Sequence, residues 1–553
     1  MTERPSAPLR QRPHPPDAVF RPETPTRRQF LWQLARAGGS VAGALFALNL
    51  LARDRGGRLE LDGRAPARRK TVVILGAGVA GLSAAYELGK LGYECTVLEA
   101  RTRPGGRSWT VRGGTREAEL GRALQTCRFD EGFFMNAGPM RIAHHHETTL
   151  AYCREFGVPL ITFTNFNEAA YVLRAGQPRL RLREVHADIR GYTAELLAKL
   201  VNKNELDREL SAEDRARLLD FLRAEGNLGA DLRYPRSGDA SVEFDSHGHG
   251  RGYATPPAAA GEPGTPTVPL DLEAILKAGL PEAFAQDWNL NQQPTMLTPA
   301  GGMDRLAYAF ASRLGARIRY GAVVREIRRT ADGRARVGYA DQADGGALRE
   351  ATGDFCVCAL PPVLLRTIPT DFSPPVIAAL ATPKAGAAGK IGLQFRRRFW
   401  EEDDDIYGGI SITDLPISQI VYPSDHIGAA KGVLLGYYHF GESKRELNDQ
   451  PLPERERRAL QQGAQIQPQY PAEFENSFSV AWENVAHSGM SWVDWPNADT
   501  FHQVLQTLAE PDGPFYFAGD WLSYLNGWQA GAFASAHHVC RTLHARAQAA
   551  GPS

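Results

Sequence analysis

Residues 71–107 read TVVILGAGVAGLSAAYELGKLGYECTVLEARTRPGGR. A β-branched run, Thr71–Leu75, leads directly into Gly76-Ala77-Gly78-Val79-Ala80-Gly81. A helix-forming stretch to about Lys90 follows, then a second apolar strand, Glu94–Leu98, closing on Glu99. The three glycines serve different physical ends. Gly76 permits the tight turn, Gly78 lets a pyrophosphate approach the backbone, and Gly81 lets helix and strand pack closely. The pyrophosphate would sit at Val79 and Ala80, on the positive end of the helix where the first amides lack partners. Glu99 stands where an acid can hold a ribose hydroxyl. A lone glycine motif is weak, but strand, glycines, helix, strand and acid together predict a dinucleotide site.

The continuation Glu99-Ala100-Arg101-Thr-Arg-Pro-Gly-Gly106-Arg107 resembles the LEA-R-x-R-x-GGR extension of the FAD-binding amine oxidase superfamily. That group includes monoamine oxidases, polyamine oxidases and L-amino acid oxidases. The resemblance implies that Arg101 and Arg107 meet the phosphates and ribityl chain of FAD, a role suited to a planar guanidinium fork. The other end of the chain resembles the same superfamily. Phe515-Tyr-Phe-Ala-Gly519-Asp520 is followed by Gly527-Trp528-Gln529-Ala530-Gly531-Ala532 and a helical run. In the resemblance Asp520 holds the ribityl or phosphate region, and the helix start at Gln529 faces the flavin's N1/C2=O edge, where negative charge develops on reduction. Val324 is expected at the adenine. Where monoamine oxidases carry a flavin-bonded cysteine in SGGCY, this chain reads Ser488-Gly489-Met490-Ser491-Trp492, so FAD is expected to be non-covalent.

Met135-Asn-Ala-Gly138-Pro139-Met140-Arg141 is similar to the GPMR turn of L-amino acid oxidases, which implies an arginine paired with the substrate α-carboxylate and cofactor contacts from Gly138, Pro139, Met140 and Arg141. Two parallel hydrogen bonds from a guanidinium would fix the carboxylate and hence the Cα–H direction. The stretch from Lys390 to Tyr437 follows the same pattern. Lys390 matches the superfamily lysine that holds a water against flavin N5, and burial would resist its charge. Tyr437 is matched to the tyrosine that donates a second bond to the carboxylate. Trp528 takes the aromatic position before the flavin, with the Gly527 carbonyl free to accept from the amine. The segment 285–303 resembles a substrate-proximal stretch, with no selector residue assignable in it.

Basic and acidic residues balance at 63 each, so no basic field suggests nucleic acid. Six scattered cysteines lack metal-ligand spacing, and Cys356-x-Cys358 reads as strand core. His144–His146, His247 and His249 are assigned no metal, Glu401–Asp405 is expected to be a solvated acidic face, and no Ser-His-Asp arrangement suggests hydrolysis. Thr26-Arg27-Arg28-Gln29-Phe30-Leu31 before the weakly apolar Gly38–Leu51 resembles a twin-arginine export signal, too short to span a bilayer. An exported protein without a stable membrane span is expected, cytoplasmic if this leader is not functional.

The fold expected is α/β (α+β overall): a discontinuous Rossmann-like FAD-binding domain, a mixed-sheet substrate domain and a helical insertion. Residues 1–67 form the leader; 68–145, 301–365 and 510–548 form the FAD-binding domain. Residues 146–300 form a helical substrate and entrance region, with a mobile loop at 233–268, and 366–509 an antiparallel-sheet substrate domain. The resemblance implies oxidative deamination of L-amino acids with O2, and a homodimer as is common in the group. The alternatives are an amino acid 2-monooxygenase, a primary amine or polyamine oxidase, and a catalytically silent flavoprotein acting as a binding module.

Overall fold

The computed structural model describes residues 68–203, 205–206, 210–235, 250–258, 264–280, 290–442 and 445–549, with Leu59, Leu61, Ala65 and Pro66. All of the leader except Leu59, Leu61, Ala65 and Pro66, and the greater part of the loop expected at 233–268, lie outside the described residues. The part of that stretch which is described is more ordered than a loop. It holds a two-stranded ribbon, Tyr253–Thr255 with Thr265–Pro266, and Arg251, which is buried and paired with the buried carboxylate of Asp188.

The chain is α/β. A five-stranded, all-parallel sheet runs in the order Ile318–Tyr320, Glu94–Glu99, Thr71–Leu75, Phe355–Cys358, Phe515–Phe517. Three distant stretches therefore meet in one sheet. Its central strands are buried almost throughout, which is why they read as unbroken apolar runs rather than as alternating patterns. The helices Val79–Lys90 and Gln529–Ala549 pack on this sheet and share its apolar core. Phe355 and Val357 face that core, and Cys356 and Cys358, which alternate with them, are buried as well. A three-stranded meander, Ala322–Arg329, Ala335–Asp341 and Ala347–Gly353, branches from the same region.

The second sheet has seven strands, ordered Phe474–Ala481, Ala388–Phe395, Gly432–Phe440, Gln419–Tyr422, Gly409–Thr413, Tyr171–Leu173, Leu180–Arg181. It is antiparallel except where Gly409–Thr413 runs parallel to Tyr171–Leu173. The last two strands come from the segment expected to be helical. A three-residue apolar run such as Tyr-Val-Leu is too short for its period to be read. The helical character expected there is present as Glu147–Phe156, Leu182–Lys203 and Ala212–Gly226.

The acidic run at 401–405 is only in part the solvated face expected: Glu402, Asp403 and Asp405 are exposed. Glu401 and Asp404 are buried: Glu401 pairs with the buried Arg398 at 2.7 Å, and Asp404 accepts from Tyr171 and Gln467. Charge density alone misleads here, because each acid has a partner that makes burial tolerable. Among the described residues no helix is long and apolar enough to cross a membrane.

Candidate active site

A cavity of about 390 Å³ opens between the two sheets, within the range of small-molecule and cofactor sites. The glycine turn forms one end of it. Gly76 has φ +92°, and a Cβ there would lie 3.1 Å from the Ala359 carbonyl. Gly81 is not in the cavity wall; a Cβ on it would collide with the Gly76 carbonyl, so it serves packing. Gly78 has open space where its side chain would be, and it caps the helix Val79–Lys90 without any side-chain acceptor. Val79 and Ala80 line the cavity beside it. The first amides of the helix thus face open space, an arrangement suited to an anion.

Glu99 lines the wall and closes the turn, accepting the Ala77 amide at 2.7 Å and the Arg101 amide at 2.9 Å. Ala100, Gly106 and Val324 line the wall too. Arg101 reaches Ser488 Oγ at 3.1 Å and the Ala486 carbonyl. Arg107 pairs with Asp520, while Asp520 also accepts the Gly527 amide at 3.0 Å. The two chain ends are joined across the cavity by this ion pair, with Gly519 and Ala532 beside it. Gln529 donates from Nε2 to Ser108 Oγ at 2.8 Å and to the Met303 carbonyl at 3.3 Å. A carbonyl only accepts, so the amide orientation is fixed, and Gln529 Oε1 is left buried without a partner. Free helix amides, paired arginines and an orphaned acceptor fit a phosphate-bearing flavin nucleotide.

At the other end Lys390 projects from the fully buried strand Ala388–Phe395. Its Nζ donates to the carbonyls of Asn136 (3.1 Å) and Gly138, and lies 4.5 Å from the Tyr438 ring centroid. Burial, with Arg141 adding repulsion, pushes its pKa down to about 7. The turn Asn136–Arg141 is fixed from several sides. Trp482 Nε1 donates to the Ala137 carbonyl at 2.8 Å, and a Cβ on Gly138 would collide with the Arg107 carbonyl. Pro139 lines the cavity; Met140 does not, and instead faces a separate space of about 60 Å³ with Phe163 and Val421. Its place as a cofactor contact is therefore corrected. Met140 is apolar and fills the core behind the turn.

Arg141 is not part of the cavity wall, though its charge acts on Lys390 and Tyr438, which are. Its Nη2 donates to Gln292 Oε1 at 3.0 Å, while Nε and Nη1 are shielded from solvent and have no partner. Burial lowers its pKa to about 10, so it stays charged. Trp528 lines the cavity, with the buried ring of His146 edge-on at 4.9 Å. Gly527, at φ +80°, precedes it.

Tyr437 is also corrected. It lies in the core on the opposite face of the sheet, its hydroxyl 2.7 Å from Ser479 Oγ. The strand pairing sets Lys390 opposite Tyr438 and Ile391 opposite Tyr437, with a bulge between Ile391 and Gly392. Directly opposed residues share a face, so Tyr438 is the tyrosine beside Lys390.

Residues 79–544 match the flavin containing amine oxidoreductase family. The chain belongs to that family. It is accordingly an FAD-dependent oxidoreductase, and the α/β fold expected from the glycine motif is the family's. Residues 43–107 also match the C-terminal domain of alanine dehydrogenase/PNT. The flavin-dependent L-tryptophan oxidase RebO of Lentzea aerocolonigenes is 28% identical, over 86% of this chain and 98% of its own. The L-amino-acid oxidase of Bungarus fasciatus is 27% identical, over 87% of each. A solved structure of putrescine oxidase bound to putrescine has the same fold, with a TM-score of 0.56 at 18% identity, over 87% of this chain and 100% of that one.

Within this amine oxidoreductase, sequence reasoning misses Tyr438, Trp482 and His146. Tyr438 is one register position away from the expected tyrosine. Trp482 carries no motif. His146 reads as inert beside its neighbours, yet burial pushes its pKa down to about 4 and it stands against Trp528 as a neutral ring. The signal that could have found it is its place five residues after Arg141, at the start of the helix Glu147–Phe156.

Proposed function

We propose that this amine oxidoreductase oxidises L-amino acids: amino acid, O2 and water give 2-oxo acid, ammonia and hydrogen peroxide. The observation that carries the reading is Arg141, a half-buried cation beside Lys390 and Tyr438 whose Nε and Nη1 are shielded from solvent and make no hydrogen bond. A simple amine offers nothing to such a group, whereas a carboxylate would pair with it. Arg141 and Tyr438 hold the carboxylate, Trp528 gives the apolar wall, and the Gly527 carbonyl accepts from the amine. FAD, when bound, supplies the two-electron acceptor for the hydride leaving Cα. Lys390 is held by two carbonyls and is easily deprotonated, so it can orient a water for imine hydrolysis or for the oxygen step. Binding energy at the carboxylate thereby orients Cα–H, the basis of rate enhancement by positioning.

Arg101, Arg107, Asp520 and Gln529 are the residues proposed to hold FAD, non-covalently, since the wall carries Ser491 where a linking cysteine would stand. Acid precipitation is expected to release all the flavin. The test of the activity is anaerobic bleaching by L-amino acids, D-amino acids and the matching amines. Bleaching by L-amino acids alone is expected; bleaching by amines at equal rate would overturn the reading.

A further inference from the structure

The segment carrying Arg141 is covered by three consecutive amide side chains, Asn291, Gln292 and Gln293. Gln293 ends on His144, and Asn291 Oδ1 lies 2.9 Å from His145 Nε2 and 3.3 Å from His146 Nε2. Gln292 ends on Arg141. The two segments are tied by backbone as well. Ile142 and Leu297 exchange amide-to-carbonyl bonds of 2.7 and 3.1 Å, and the Pro294 carbonyl accepts the Asn165 amide at 2.7 Å. The strand Thr295–Pro299 then pairs with Leu160–Thr164. Clamp and strap thus rest on one ribbon.

Gln292 holds the decisive place. Its Oε1 accepts from Arg141 Nη2 at 3.0 Å and from Asn165 Nδ2 at 3.2 Å. A guanidinium only donates, so the oxygen of the amide must face it. A neutral acceptor fixes one nitrogen of Arg141 without cancelling its charge, and Nε and Nη1 remain unpartnered. We propose that Gln292 is a positioning residue that aims Arg141 at a carboxylate ligand and leaves its charge free for that ligand. This rests on the amino acid reading above. A carboxylate at position 292 would form an ion pair of the same shape and occupy the site from behind. The amide therefore selects for an anionic ligand by declining to be one.

The probe is benzoate, a carboxylate without an oxidisable amine, titrated against the flavin spectrum of the holoenzyme. In Gln292→Glu, nearly the same size as the native residue, its Kd is expected to rise about tenfold or more, the contribution of one charge-assisted contact. KM for L-amino acids should rise in parallel, while the limiting rate of anaerobic bleaching stays within about twofold. Gln292→Met, which removes the acceptor but adds no charge, should loosen benzoate by a smaller factor. A Gln292→Glu enzyme that binds benzoate as the wild type does would overturn the proposal. If that variant loses FAD, unchanged benzoate affinity in Gln292→Met would do the same. Wild-type enzyme that binds benzoate but is bleached by no amino acid would leave Gln292 standing and remove the substrate reading. Wild-type enzyme that binds no carboxylate would overturn both.

Discussion

At the glycine end of the cavity the wall is largely backbone, and what each residue does follows from what a Cβ would strike. At the Lys390 end the wall is side chains, aimed by the register of one strand pair and by loops from elsewhere in the chain. The first kind of site is written locally: Gly76, Gly78 and Gly81 lie within six residues, and the positive φ of Gly76 is a local property. The second depends on tertiary placement, so it tolerates small errors in a reading of sequence poorly. One bulge moves the useful tyrosine by one position and turns its neighbour into core.

The largest effect expected separates the ends outright. Arg141→Ala should lower kcat/KM for L-amino acids on the order of a thousandfold, since it removes a charge-assisted bidentate contact made by nitrogens shielded from solvent. Flavin content and the visible spectrum should be unchanged, because the glycine end is untouched. Steady-state kinetics beside flavin quantification checks this; undiminished turnover would break the assignment of the substrate end.

The glycine end can be divided in turn. A Cβ at Gly81 collides with the Gly76 carbonyl, whereas one at Gly78 meets nothing in the protein. Gly81→Ala should therefore destabilise the apoprotein, by about 1–3 kcal/mol as overpacked sites do, seen as a lower Tm. Gly78→Ala should leave the apoprotein Tm unchanged and weaken FAD binding about tenfold to a hundredfold, a similar clash now directed at the ligand. Equal loss of Tm in both would deny that Gly78 faces a ligand.

Tyr437 and Tyr438 test the register directly. Tyr438→Phe should raise KM for amino acids about tenfold, the contribution of a hydroxyl donated to a carboxylate. Tyr437→Phe should leave kinetics alone and cost about 1 kcal/mol of stability through the lost bond to Ser479. The reverse pattern would restore the sequence-based choice.

These pairs also show what was legible. The parallel sheet could be read because its strands are short apolar runs flanked by turn glycines, and the motifs at residues 71–107 and 515–532 each carry their own geometry. The turn before Arg141 was readable only through its resemblance to a known motif; the close approach that requires Gly138, to the Arg107 carbonyl, is tertiary. Glu401 and Asp404 were not, because a run of acids looks the same in sequence whether or not Arg398, Tyr171 and Gln467 come to meet it. Tyr438 was not, because a bulge leaves no mark in composition. His146 and Gln292 were not, because their importance lies in Trp528 and Arg141, far away or differently phased in the chain.

The smallest effect concerns proton linkage at the substrate end. Lys390 is buried, the charge acting on it is that of Arg141, and its pKa is pushed down to about 7. A bound carboxylate brings negative charge to that pair and favours the protonated amine, raising the pKa of Lys390 in the complex. Binding must then take up protons wherever the free enzyme has Lys390 neutral and the complex has it charged. The sign follows: benzoate affinity is full below about pH 7 and falls as pH rises above it, until the pKa of the complex is passed. The fall should be about threefold to fivefold, on the order of 1 kcal/mol for a charge pair in a partly polar site. Benzoate itself stays ionised across this window, so the change belongs to the protein. Lys390→Met should flatten the profile while Arg141 still binds the anion. A Kd that is flat across the neutral to mildly alkaline range in the wild type would mean that the carboxylate sits beyond the reach of Lys390. Arg141 would then be holding its ligand outside the cavity wall rather than over it.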